Sequence, residues 1–565
     1  EGVTVALSTS GAATEGTDYT DGSGNLDDIT ISAGSTTGTV SFTPTDDSVY
    51  EGDEAAVIAI DTVSGGGASE NGTQSVTVTI SENESAPTVT LATSATSIAE
   101  NSGSSLTLTA TLSNVADEDV TVSLSTSGAA TEGTDYTDGS GNLDDITISA
   151  GSTTGTVSFS PTDDSVYEDD EAAVIAIDTV SGADATESGT QSVTVTITEN
   201  ESAPTVTLAV SATSIAENAG SSLTLTATLS GTTDETVTVA LGTSGSATEG
   251  TDYTDGSGNV DDITISAGST TGTVNFTPTD DSVYENDETA TIAITGVSGG
   301  GASESGSQSV TITISENESA PTVALTVSAS SIAENAGSSL TLTATLSVAA
   351  DEAVTVSLST SGTSTEGTDY TDGSGNVDDI TISAGSTTGT VNFTPTDDSV
   401  YEGNETAIIA ISSVSGADAS ESGSQSVTIT ITENESAPTI TLTRSAASID
   451  ENSASTVTLT ATISGVTDSA VTVALDTSGT ATEGTDYGTI SDITISAGAT
   501  TGTATLDPTD DNIYEDDETA TIDISSVSGK SGVTENGTQQ VSVTIAENES
   551  APTVTLATSA TSIAE

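Results

Sequence analysis

Cysteine, histidine, methionine and tryptophan are all missing from this 565-residue chain. Without cysteine there is no disulfide and no thiolate metal site. With histidine also gone, the usual general base and the strongest nucleophile are lost, and no serine stands beside a plausible base. Basic residues are nearly missing as well. Arg444 and Lys530 face 86 acidic residues, for a formal net charge of −84. Such a chain repels nucleic acid and anionic membranes, so its expected partners are cations. No stretch is long and apolar enough to span a bilayer. Aromatics make up only 2% of the residues. Few aromatics with high charge can signal disorder, so an ordered fold has to be argued from pattern.

Repetition supplies the pattern. SENESAPTVTL at Ser81–Leu91 returns as TENESAPTVTL from Thr198, SENESAPTVAL from Ser315, TENESAPTITL from Thr432 and AENESAPTVTL from Ala546. Its prolines, Pro87, Pro204, Pro321, Pro438 and Pro552, recur every 117 residues, and the last after 114. That period is too long for a solenoid repeat and suits one small domain per repeat. The expected layout is a module at 1–84 lacking its first strands, complete modules at 85–201, 202–318, 319–435 and 436–549, and the opening strand of a further module at 550–565. The frame suggests an excerpt of a longer array. The alternative is that one subunit's tail completes the next subunit's head, as in strand donation.

Within each module, apolar and polar residues alternate. Gln74–Ile80 places Val76, Val78 and Ile80 on one face and Thr77 and Thr79 on the other. Leu106–Leu112, Asp28–Ser32 and Glu288–Ile294 alternate in the same way. Period two with β-branched residues marks half-buried strands. About seven such runs per module, separated by turn signals, predict an all-β fold: a tandem array of small sandwiches. The core residues are small, so each module is expected to be marginally stable alone.

The acids are clustered. In the second module they gather at Glu100, at Asp135, at Asp163-Asp164 with Glu168 and Glu171, and at Glu199-Asn200-Glu201, each at the end of a predicted strand. Carboxylates a few ångströms apart repel by several kcal/mol at intermediate dielectric. A hard cation with oxygen ligands relieves this. Calcium takes 6–8 oxygens with tolerant geometry, and magnesium wants a stricter octahedron.

The run TDDSVYEGDE (Thr45–Glu54), preceded by EGTDY (Glu15–Tyr19) and followed by SENES (Ser81–Ser85), resembles a Calx-beta domain, the module of sodium–calcium exchanger loops and of large bacterial surface proteins. The resemblance extends over essentially the whole chain. It implies immunoglobulin-like, seven-stranded antiparallel β-sandwiches that bind Ca2+ in loops at one end. Carried over position by position, it implies these ligands. The opening glutamate is Glu100, Glu217, Glu334 or Glu451. The aspartate before tyrosine is Asp18, Asp135, Asp252, Asp369 or Asp486. The acidic pair is Asp46-Asp47, Asp163-Asp164, Asp280-Asp281, Asp397-Asp398 or Asp510-Asp511, followed by a backbone carbonyl such as that of Val49. The glutamates after it are Glu51 and Glu54, Glu168 and Glu171, Glu285 and Glu288, Glu402 and Glu405, Glu515 and Glu518. The closing Glu-Asn-Glu supplies Glu82 and Glu84, Glu199 and Glu201, Glu316 and Glu318, Glu433 and Glu435, Glu547 and Glu549. The exchanger module has aspartates where this closing triplet and Ser48 stand. Fewer charges per site imply one to three ions per module.

Asp21–Asp28 has the composition of a calcium loop, but its Gly and Asn equally suit a hairpin turn. The fifth module replaces it with Tyr487–Ser491, which favours the turn. Paired carboxylates can hydrolyse glycosides, yet five copies of one acidic loop read as repeated metal sites and not as an enzyme. The closing triplet runs through a short, proline-stiffened linker into the next module. The expected function is therefore a calcium-binding, extracellular structural protein, secreted or attached to the cell surface, in a filament of copies joined end to end. The alternative is the stalk of a calcium-dependent adhesin.

Overall fold

The computed structural model of the chain describes residues 1–559. Among them the regular structure is β-strand, with one short 3-10 turn at Glu100–Ser102. The chain forms two compact units. One comprises Glu1–Ile215, Ala219–Thr279 and Thr289–Ile314. The other comprises Ala216–Asn218, Asp280–Glu288 and the chain from Ser315 onward.

The second module shows the repeated plan. One sheet runs Tyr136–Thr137, Thr154–Pro161, Leu106–Leu112, Thr88–Thr93, Thr186–Glu187. The other runs Ile146–Ile148, Val120–Gly128, Glu171–Ser181, Ser192–Thr198, Ser97–Ala99. Period-two alternation sends Leu108, Ala110 and Leu112 inward, where they pair across the sheet with Thr93, Leu91 and Val89. Facing them are Val120, Val122, Ile146, Ile148, Ala173, Ile175 and Val195, all fully buried. Tyr136 stacks on Phe159 with centroids 4.5 Å apart, the largest aromatic contact of this small-residue core. The result is an immunoglobulin-like β-sandwich.

Two edges depart from the expected antiparallel order. Ser97–Ala99 runs parallel to Ser192–Thr198, and Thr186–Glu187 runs parallel to Thr88–Thr93. The opening segment changes sheets between Thr93 and Ser97: Thr88–Thr93 lies beside the short Thr186–Glu187 edge of one sheet, and Ser97–Ala99 forms an edge of the other. Gly128 shows how tightly the ladders meet. Its φ is 119°, and a Cβ there would lie 2.0 Å from the Ala172 carbonyl oxygen.

Residues 1–84 have of the first sheet only the short pair Tyr19–Thr20 with Thr43–Pro44, and form the other sheet in the order Ile29–Ile31, Val3–Gly11, Glu54–Ser64, Ser75–Ile80. No described strand covers its apolar face. Leu7, Ile29, Phe42, Ile58, Ile60 and Val76 instead line a cleft of about 360 Å³. Val76 is 62% exposed, and Phe42 is only half-buried where its counterpart Phe159 is fully buried. Thus the opening strands supply the second wall of each core. Of the strand expected at 550–565, residues 550–559 are exposed and without strand pairing, with Val554 96% and Leu556 98% exposed. The remaining six lie outside the described residues.

Short parallel ladders follow the acidic loops. In the first unit Val49–Tyr50 pairs with Val115–Ala116, and Val166–Tyr167 with Thr232–Thr233. In the second unit Val283–Tyr284 pairs with Ala349–Ala350, and Val400–Tyr401 with Val466–Thr467. Residues of one repeat thereby hydrogen-bond to the next within a few residues of the acids.

Candidate metal centre

The sandwich gathers the strand-end acids at one pole of the module. Glu100 follows Ser97–Ala99, Asp135 precedes Tyr136–Thr137, Glu171 begins Glu171–Ser181, and Glu199 follows Ser192–Thr198. Two groups result, Asp135 with Glu168 and Glu171, and Glu100 with Glu199 and Glu201. In each, one carboxylate oxygen per residue lies within 4.8 Å of the others. Glu100, Asp135, Glu168, Glu171 and Glu199 line one small cavity, so the groups are adjacent. Asp18, Glu51 and Glu54 form such a group in the first module, and Glu217, Glu316 and Glu318 form another. In the fifth module Glu451, Asp486, Glu515, Glu518 and Glu547 line the corresponding cavity.

Backbone hydrogen bonds fix these acids without neutralising them. Asp135 Oδ2 accepts from Thr131 N at 2.6 Å, and its counterparts Asp18, Asp252, Asp369 and Asp486 accept in the same way. Glu100, 7% exposed, accepts from Asp164 N at 3.0 Å. Glu217, Glu334 and Glu451 are buried alike and accept from Asp281, Asp398 and Asp511. The closing glutamate ties the loops together. Glu82 Oε2 accepts from Glu51 N at 2.6 Å and Glu433 Oε2 from Glu402 N at 2.6 Å, while Glu199, Glu316 and Glu547 accept from Glu168, Glu285 and Glu515.

The second aspartate of each acidic pair is occupied differently. Asp164 Oδ1 accepts from Val166 N at 2.6 Å, and Asp47, Asp281, Asp398 and Asp511 make the same bond, shaping the loop. Both members of the pair are exposed, except that Asp511 is half-buried. Asp46, Asp397 and Asp510 accept from the triplet asparagines Asn83, Asn434 and Asn548. Asp163 and Asp280 are close enough to push up the pKa of Glu100 and Glu217, after the larger effect of burial. Asp21–Asp28 takes the turn: Asp21 Oδ1 accepts from Ser23 N and Gly24 N, and Asp28 Oδ1 from Leu7 N.

The electrostatics are those of a site short of positive charge. Burial, then Asp135, pushes Glu168 and Glu171 up to about 7. Burial and Asp18 do the same to Glu51 and Glu54, and burial and Asp369 to Glu402 and Glu405. Glu201 is raised by its hydrogen bond to Glu199. Burial opposes ionisation of Glu199, but the N–H donors of Glu168, Glu201 and Asn200 outweigh it and hold Glu199 low. A positive charge among these carboxylates would relieve the repulsion that raises them. Glu201, Glu318, Glu435, Glu518 and Glu549 each bury one Oε2 to which no N–H or hydroxyl donates. An all-oxygen donor set with such oxygens fits calcium.

The raised glutamates give a pH prediction. Their carboxyls ordinarily titrate near 4.5 and in the folded module near 7. Their contribution to stability is full below about 4.5 and is lost as pH rises through 7. The melting temperature of chelated protein is expected to be higher at pH 5 than at pH 8. Excess calcium should reverse that order, because metal displaces the protons. Scanning calorimetry at both pH values checks this.

Some contributing residues are not evident in the acid motifs. Asp117, Asp234, Asp351 and Asp468 belong to the following repeat. Asp234 raises the pKa of both Glu168 and Glu171, although less than burial and Asp135 do. It also shares a cavity of about 200 Å³ with Tyr167, Asp170, Glu171 and Glu235. Asp53, Asp170, Asp287 and Asp517 accept from the closing glutamate's N–H, and Asn404 does the same in the fourth module. Asn404 makes this bond with a neutral amide oxygen.

The Calx-beta domain family matches residues 1–84, 82–201, 199–318, 316–435 and 433–549. No curated protein matches the chain. Among solved structures, CBD12 from CALX1.2 is 16% identical, covering 40% of this chain and 99% of that one, with a TM-score of 0.19. The apo-form Calx CBD1 domain is 20% identical over 20% of this chain and 99% of its own, with a TM-score of 0.17. Invasin, a bacterial integrin-binding protein, is 14% identical over 81% of this chain and 79% of its own, with a TM-score of 0.21. These structural likenesses add no argument about function. The family match spans nearly every residue, and the chain belongs to the Calx-beta family as five tandem Calx-beta domains.

Proposed function

We propose that the chain is a calcium-binding structural protein, a shaft outside the cell whose stiffness is set by ions at the domain junctions. The carrying observation is the juxtaposition of Asp135, Glu168 and Glu171 with Asp234 of the next repeat, beside the ladder joining Val166–Tyr167 to Thr232–Thr233. A cation among these carboxylates binds groups from both sides of a junction. Asp135, Glu168 and Glu171 would hold one ion and Glu100, Glu199 and Glu201 another. The ions supply positive charge, and the chain supplies preset oxygens and a hydrogen-bonded loop. Extracellular modules bind calcium at roughly 10⁻⁴–10⁻³ M, so the junctions would be loaded outside a cell.

This reading predicts that chelation changes the small-angle scattering of the full chain, shortening its maximum dimension and raising its flexibility. Scattering indifferent to chelation contradicts it. The broader biological role has two forms. A filament of copies joined end to end assembles with rising concentration, whereas an adhesin stalk remains a monomer. Sedimentation velocity in calcium over a concentration series separates them.

A further inference from the structure

The last junction differs from the others in charge. After the long strand, the second and fourth modules carry Gly182-Ala183-Asp184-Ala185 and Gly416-Ala417-Asp418-Ala419, and the third carries Gly299-Gly300-Gly301-Ala302. The fifth carries Gly529-Lys530-Ser531-Gly532-Val533, one residue longer and holding the chain's only lysine. These loops sit against the preceding repeat's tyrosine. Tyr50 OH donates to Asp184 at 3.0 Å, and Tyr284 OH to Asp418 at 3.4 Å. A Cβ on Gly301 would lie 2.5 Å from Tyr167, and one on Gly532 would lie 2.3 Å from Tyr401.

A second position changes in the same direction. Glu118, Glu235 and Glu352 follow the junction aspartate in the second, third and fourth modules. Each accepts from the loop's backbone, at Ala183, Gly300 and Ala417 respectively. In the fifth module this glutamate is Ser469. The fifth module's side of the junction has therefore lost one carboxylate and gained an ammonium. That ammonium is placed on the remaining acid: Lys530 Nζ is 2.6 Å from Asp468 Oδ1, with only 13% of the lysine side chain exposed. It also acts on Glu405 of the preceding repeat, the counterpart of Glu171.

We propose that Lys530 is a resident cation that replaces a divalent ion at the fourth junction, so that this junction keeps its geometry when calcium is withdrawn. The inference rests on the proposed role of calcium at the other junctions. A tethered ammonium in a partly buried ion pair, with Asp468 33% exposed, compensates the acids without leaving for solvent as a free ion can. The junction of the second and third modules has Glu235 and no basic group, and it depends on the bath. The array is therefore graded, with one permanent joint and others that respond to calcium.

The absence of native cysteine makes the test clean. Thr147→Cys with Thr264→Cys reports on the junction of the second and third modules. Thr381→Cys with Thr494→Cys reports on that of the fourth and fifth. All four threonines are exposed. Distances between spin labels are measured in the full chain by pulsed electron resonance, in calcium and in chelator. Chelation is expected to abolish the narrow distance distribution of the first pair and preserve that of the second. Lys530→Gln should make the second pair broaden in chelator, and Lys530→Arg should keep it narrow. Broadening of both pairs with Lys530 intact overturns the proposal, as does a narrow second pair in Lys530→Gln. If chelation leaves both parent pairs narrow, the calcium reading fails. The Lys530→Gln result in chelator then decides separately, with broadening supporting the resident cation and no change rejecting it.

Discussion

Chelation of calcium is expected to lower the melting temperature of the full chain by about 10 °C or more at neutral pH. An ion present at ten times its dissociation constant stabilises the folded state by about 1.4 kcal/mol. Two adjacent carboxylate groups per complete module bring this to about 3 kcal/mol. For a domain of this size each kcal/mol moves the midpoint by roughly 4–8 °C. The small cores make the effect visible. Apart from Tyr136 and Phe159, the second module buries mainly Ala, Val, Leu and Ile. Differential scanning calorimetry with calcium, with chelator and with calcium restored checks the shift and its reversal.

Changing the paired glutamates to glutamine is expected to reverse the sign of their effect on stability between the two conditions. The variant carries Gln at Glu51, Glu54, Glu168, Glu171, Glu285, Glu288, Glu402, Glu405, Glu515 and Glu518. In chelator at pH 8 these carboxylates repel their neighbours: Glu171 faces Asp135 and Asp234, and Glu54 faces Asp18 and Asp117. Removing charge while keeping shape relieves repulsion and should raise stability. In calcium the same change removes ligands and should cost at least about 1.4 kcal/mol per module. Denaturant unfolding in both media measures the crossing. A variant that is destabilised in both media would make the glutamates ordinary packing groups. One that is stabilised in both would make them solvated surface charges without a metal.

The strands were readable because their pattern is local. Leu106–Leu112 alternates without a break, and the structure buries Leu108, Ala110 and Leu112 as the alternation requires. The two- and three-residue rim strands were not readable, since Val166–Tyr167 or Ser97–Ala99 is too short to show a period. Their parallel pairing depends on segments about 66 and 99 residues away in sequence. At the candidate centre, the gathering of strand-end acids followed from their positions and the family resemblance, but their split into Asp135 with Glu168 and Glu171 and Glu100 with Glu199 and Glu201 did not. The division of labour within Asp163-Asp164 did not. Both look like ligands in sequence, and only the bond from Val166 N shows that one Asp164 oxygen is shaping the loop. Asp234 was hidden for another reason: it lies in the turn of the next repeat, and only the ladder of Val166–Tyr167 with Thr232–Thr233 brings it back to Glu171. Lys530 is one of two basic residues in the sequence, and only the fold places its ammonium on Asp468.

Equilibrium dialysis against radioactive calcium, with exhaustively chelated full-length chain as the starting material, puts the central statement to its shortest test. Saturable uptake of about two ions per complete module at millimolar calcium, lost when the paired glutamates become glutamine, is the predicted result. Uptake that rises without saturation and is unchanged by those substitutions would mean a diffuse counterion cloud around an acidic surface, and would contradict the account.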